Sequence, residues 1–238
     1  MRTFSHPGYK RFLLSVGCLL SIHFTALFFL TLFRLVFFFS ANYDFPDQEH
    51  VGFMSIWPAF IRGVWFDNVI ACYILLIPLV AVSISALFNY YGKILWNVTC
   101  IFFSLFYGIV LLVTAANIPY FQYFFKIINS SVFNWFGYMN TTAGMVFGET
   151  SYYPPLIGFL LTLVLFIWLM RRLIRHFQRL LNTKNPSVFW LDRIYIFLTA
   201  GICIGLCLFG IRGRTGYNPI KVSAAYYCTD PFLNQLGI

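Results

Sequence analysis

The chain has 238 residues, 60% of them hydrophobic and 21% aromatic, and only 10% are charged, against about 25% charged in an average soluble domain. Sixteen bases and seven acids leave a net charge of +9. So few polar side chains cannot coat a water-soluble enzyme, so much apolar surface excludes a disordered chain, and the basic excess reads as the signal that flanks membrane spans rather than as a nucleic-acid footprint.

A hydrocarbon core about 30 Å thick takes roughly 20 residues of helix, because backbone polar groups cannot be left unpaired in lipid. Five stretches meet that requirement. The first covers residues 12–33 and stays apolar past Arg34 to Phe39. It is longer than the roughly 7–15 apolar residues of a secretory signal and no small-x-small pattern follows it, so it reads as a retained signal-anchor. The second covers 69–88, the third 94–116, the fourth 156–170 after Pro154 and Pro155, and the fifth 189–211.

Orientation follows the distribution of Lys and Arg. With the N-terminus inside, Arg2, Lys10, Arg11, Lys93, Arg171, Arg172, Arg175, Arg179, Lys184 and Arg193 fall on the cytoplasmic side. The smaller set of Arg62, Lys126, Arg212, Arg214 and Lys221 falls outside. The expected fold is therefore an all-α, polytopic membrane protein with five transmembrane helices, N-terminus in and C-terminus out. Residues 1–211 form the membrane domain and 212–238 an extracytoplasmic linker. The outer stretches 51–67 and 120–153 are dense in Trp, Tyr and Phe, which predicts short interfacial helices there.

Few residues suggest chemistry. Asp44, Asp47, Glu49 and His50 cluster in the first outer loop with donors suited to a divalent cation, although a solvated loop accounts for them as well. Arg62 and Asp67 bracket the approach to the second span; as an exposed pair they could hold a lipid head group, since a guanidinium matches phosphate bidentately. Arg34, near the end of the first span, is expected to snorkel. Gly201 and Gly205 form a G-x-x-x-G pattern, read as packing within the bundle, and Cys203 and Cys207 as small apolar packers. No nucleophile–base set, phosphate loop or zinc motif is present, and no acid lies mid-span to couple a transporter.

The C-terminal segment carries a resemblance. Gly210-Ile211-Arg212-Gly213, then Asn218-Pro219-Ile220-Lys221-Val222-Ser223-Ala224-Ala225-Tyr226-Tyr227, then Phe232-Leu233-Asn234-Gln235-Leu236 resemble the junction between the fifth membrane helix and the catalytic domain of the lipoteichoic acid synthase family. That family belongs to the sulfatase-like branch of the alkaline phosphatase superfamily. Ala59-Phe60-Ile61-Arg62-Gly63-Val64-Trp65-Phe66-Asp67 is similar to the family's approach to its second helix, and Asn117-Ile118-Pro119-Tyr120-Phe121 to the exit from its third. Trp65 stands where many relatives carry a base, and Asn117 where an acid is common. The resemblance implies a bacterial cytoplasmic-membrane anchor for a lipid head-group transferase of the phosphoglycerol or phosphoethanolamine type. It also implies a catalytic domain in cis, beyond the residues of this chain, with a threonine nucleophile and a divalent metal (Mn, Mg or Zn). Catalytic residues and cofactor sites are expected there and none in this chain. The partners expected here are membrane lipids, with Arg62, Asp67 and Arg212 as head-group contacts. The alternative is a stand-alone membrane interaction subunit.

Overall fold

Every regular element among the described residues is helical. A computed structural model describes residues 7–40, 53–129, 144, 148, 150–181, 190–214 and 218–238. The long helices are α1 (Pro7–Ser40), α2 (Phe53–Leu87), α3 (Lys93–Phe124), α4 (Tyr153–Leu181) and α5 (Trp190–Arg212), and a short α6 (Pro231–Leu236) follows them. All five long helices have the length and apolarity needed to cross a membrane, which makes the chain a multi-pass membrane protein. The Asp44–His50 acidic cluster and most of the 120–153 stretch lie outside the described residues.

The helices overrun the spans expected from hydropathy. At 1.5 Å per residue, the 34, 35 and 32 residues of α1, α2 and α3 reach about 50 Å, well beyond a hydrocarbon core. The largest difference is in α2. The expected interfacial element over 51–67 is instead the first part of one continuous helix from Phe53. Apolar residues on both sides of Arg62 let the helix run on, and Pro58 within it is tolerated as prolines are in membrane helices. Pro154 and Pro155 fall in the first turn of α4, where their missing N–H groups are not needed.

The chain divides into two compact units. The first comprises Met1–Leu27, Asp67–Tyr107 and Phe166–Ile220. Its core stacks Phe103 on Tyr107, with ring centres 5.7 Å apart, and sets Phe166 edge-on to Tyr107 at 5.4 Å. Trp96, Phe12, Leu19, Ile22 and Met170 are buried in the same unit. Gly17 lets the Phe177 ring come close to α1, 3.6 Å from where a Cβ would stand. The second unit comprises Phe28–Phe66, Gly108–Leu165 and Lys221–Ile238; its buried residues include Phe37, Phe121 and Phe232 beside Leu111, Ile118 and Leu236.

Cys207 is buried and donates from Sγ to the Cys72 carbonyl at 3.3 Å, in line with a packing role. The glycine pattern next to it behaves otherwise. A Cβ at Gly201 or Gly205 would meet nothing within 4 Å, so neither glycine serves a close helix approach among the described residues. The reason is the position of α5, whose most apolar window is 17% buried against 50% for α1 and α2.

Candidate functional site

The second unit is organised around the C-terminal segment. After the turn Val222–Ala225, Asp230 caps α6, its Oδ1 accepting from the Leu233 N–H at 2.9 Å, with Pro231 in the first turn. The buried Asn234 side chain closes the preceding loop. Its Oδ1 accepts from the Tyr227 and Cys228 N–H groups at 3.0 and 3.3 Å, and its Nδ2 donates to the Cys228 carbonyl at 2.8 Å. Such local pairing lets so short a helix exist, since six residues are far below the length at which a helix holds itself.

Three helices then hold the segment. Phe232, 1% exposed, sits with Phe37 and Phe38 of α1 and Phe121 of α3, at ring-centre distances of 5.7, 6.1 and 5.3 Å. Gln235 clasps the chain leaving α3: Nε2 donates to the Phe125 carbonyl at 3.1 Å and Oε1 accepts from the Ile127 N–H at 3.0 Å. Phe125 has φ of +51°, rare for a bulky residue, and this clasp helps to hold it there. Asn117 accepts from the Ile128 N–H at 2.8 Å, tying the same exit to the body of α3.

Two arginines complete the grip. Arg34, 9% exposed, donates from Nη1 to the Leu236 carbonyl. The expectation that it snorkels is therefore corrected: α1 continues through Leu35–Ser40, so Arg34 lies inside the helix and turns to the tail. Gly63 of α2 makes that possible, because a Cβ there would overlap the Arg34 guanidinium. Arg62 donates from Nε to the Ala224 carbonyl at 3.2 Å, and its guanidinium lies 4.3 Å from the centre of the Tyr227 ring, a cation–π contact.

The three expected head-group residues fall in different units. Arg62 belongs to the second unit, Asp67 and Arg212 to the first. Arg62 is half-buried and Asp67 buried, so they are not an exposed pair. Five residues of continuous helix turn them roughly 140° apart, which is the physical reason. Arg212 is exposed in the last turn of α5, where a cation favours the helix dipole. Its carbonyl accepts from the Ile220 N–H at 3.0 Å, and Gly213 follows with φ of +70°, the glycine stop usual for a helix end. Sequence reasoning missed Arg34, Phe232 and Gln235 as parts of one site. Phe232 and Gln235 lie in the family-like junction, but nothing in the sequence pairs them with Arg34, the one charge amid an apolar run.

Burial pushes the Tyr227 phenol up to about 12, with Cys228 and Asp230 adding to the rise and Arg62 opposing it. A phenol raised in the folded state contributes stability that is intact below the ordinary tyrosine value of about 10 and is lost as pH climbs to about 12. Docking of the segment is thus expected to loosen between about pH 10 and 12. Phenolate absorbance of the wild type minus that of Tyr227→Phe would show a late-titrating tyrosine; a difference curve centred near 10 would contradict this.

Among the described residues no three His, Cys, Asp or Glu side chains come together. No protein-family model, curated protein or solved structure matches the chain. The class is therefore defined by fold and site alone, as a membrane protein with five long helices among its described residues, whose C-terminal segment is seated on the ends of three of them.

Proposed function

We propose that this chain is the membrane-embedded N-terminal domain of a sulfatase-like lipid head-group transferase, similar to the lipoteichoic acid synthase family. In this reading it anchors and orients a catalytic domain on the extracytoplasmic face of a bacterial cytoplasmic membrane. The observation that carries it is the seating of residues 221–238. The segment with the family-like junction is held by Arg34, Arg62, Phe232 and Gln235. A loose tether needs no such seat, whereas a domain that must meet lipid head groups at a fixed height does. Arg62 commits Nε to the Ala224 carbonyl, which leaves its two terminal nitrogens to meet a phosphate. Of the three expected contacts it is the best placed, with Asp67 and Arg212 in lesser roles. Phosphoryl transfer and its metal belong to the catalytic domain, and this chain contributes position.

The second reading, a stand-alone interaction subunit, is favoured by one observation, the bare surface of Gly201 and Gly205. Small residues four apart are a common seat for another helix. One experiment separates the two. Membranes of the source cell are pulse-labelled and probed with an antibody to the basic end of α4. A product several tens of kDa heavier than 27.7 kDa supports the anchor. A 27.7 kDa band with no heavier precursor at the earliest time overturns it and favours the subunit.

A further inference from the structure

The first unit contains a cavity that the anchoring role does not use. It has a volume of about 510 Å³ and lies where the start of α1, the connection from α2 to α3 and the last turns of α4 meet. Arg11, Lys93, Arg175 and Arg179 line it, and among the described residues no acid does. A second cavity of about 390 Å³ adjoins through Arg175 and Arg179 and adds Arg172 and His176. Flanking a span accounts for basic residues in the sequence. It does not account for their convergence on one concave surface, where like charges repel unless an anion joins them.

The walls are prepared for such an anion. Arg11 is 8% exposed; its Nη2 donates to the Leu181 carbonyl at 2.8 Å and its guanidinium lies 5.7 Å from the Tyr91 ring centre. The cation is thus pinned before any ligand arrives, and little rotamer entropy remains to be lost on binding. The Tyr91 hydroxyl, also in the wall, is buried with no hydrogen-bond partner among the described residues. Buried hydroxyls ordinarily have a partner, and burial pushes this phenol up to about 12 despite Arg11, so it stays a donor at neutral pH. Lys93 is also the first residue of α3, whose free N–H groups add positive potential at the rim. Trp168, half exposed beside Arg172 at 5.3 Å, is the kind of residue that sits at head-group level.

We propose that this cavity binds a phosphate-bearing anion, either the head group of an anionic lipid or a free phosphate ester, through Arg175, Arg179, Lys93 and the Tyr91 hydroxyl. The site is independent of the anchoring role and would stand if that role failed. Its volume is within the usual range for small-ligand pockets, roughly 300–1,000 Å³.

The test uses the full chain in phosphatidylcholine nanodiscs containing a minor fraction of phosphatidylglycerol, with retained lipid counted by native mass spectrometry. Arg175→Ala/Arg179→Ala is compared with Arg171→Ala/Arg193→Ala, which removes the same charge from outside both cavities. In parallel, inorganic phosphate is titrated against the melting temperature of both proteins. Retention of phosphatidylglycerol that falls about tenfold or more in the first double variant only supports the site with a lipid as its source. No lipid selectivity, but a rise in melting temperature with phosphate that the first variant alone loses, supports the site with a free ester as its source. Equal behaviour of the two double variants, or no response by the wild type to either probe, overturns it. Should Arg175→Ala/Arg179→Ala lose its helical signal, Lys93→Gln carries the same comparison, with an expected loss of several-fold.

Discussion

Phe232→Ala is expected to release residues 221–238 while the five long helices stay folded. The ring is 1% exposed and meets Phe37, Phe38 and Phe121, so removing it costs about 3–5 kcal/mol by analogy with other buried phenylalanines. Against this the segment has a handful of hydrogen bonds, worth about 0.5–1.5 kcal/mol each when neutral and about 1.5–3 when charged. The margin is too thin to absorb the loss. Amide exchange across 221–238 should accelerate by tenfold or more, and trypsin should gain access at Lys221, which is already exposed. Far-ultraviolet circular dichroism should barely change, because α6 has only six residues. Phe232→Leu, which keeps most of the volume, should show a small fraction of the effect. Unchanged exchange in Phe232→Ala would mean that the polar contacts alone hold the segment.

The long helices were legible because the bilayer imposes one rule at a time: uninterrupted apolar residues in sufficient number. All five spans emerged from that rule, and so did the proline entry to α4. The ends of the helices were less legible. Residues 53–66 mix Trp, Phe, Pro, Gly and Arg, a composition that suits an interfacial helix and the end of a long helix equally. What decides is the contact each side chain makes, and hydropathy does not record contacts. Arg34 shows the same limit. Its neighbours in sequence place it near a membrane surface, but its partner is the carbonyl of Leu236, two hundred and two residues away in the chain. Arg62 and Asp67 are not the exposed pair expected of them, for a geometric reason. Arg62 and Asp67 looked close in sequence but point to different sides of one helix, and Asp67 is buried.

The Arg34–Gly63 contact gives the sharpest expectation, because it predicts a change of sign. In an ordinary helix interior, Gly→Ala stabilises by up to about 1 kcal/mol. At Gly63 the new methyl would overlap the Arg34 guanidinium and displace it from the Leu236 carbonyl. Losing a charged hydrogen bond costs about 1.5–3 kcal/mol, and the arginine, already 9% exposed, has little room to withdraw. Gly63→Ala alone is therefore expected to destabilise by about 1–2 kcal/mol, a five- to thirty-fold change in equilibrium. In an Arg34→Met background, which keeps the apolar stem and removes the guanidinium, the same substitution should become stabilising by about 0.5–1 kcal/mol. The coupling between the two sites, measured as a double-mutant cycle by denaturation in detergent, should thus exceed 1 kcal/mol. Amide exchange at residues 234–238 should follow it, fast in Gly63→Ala and in Arg34→Met alike. Equal destabilisation by Gly63→Ala in both backgrounds would assign the glycine to some other close contact. A neutral effect in both would mean that the guanidinium reaches the Leu236 carbonyl by another path. The predicted reversal requires both the bare face of Gly63 and the inward turn of Arg34, two residues on different helices whose requirement for one another is set by the tail they hold.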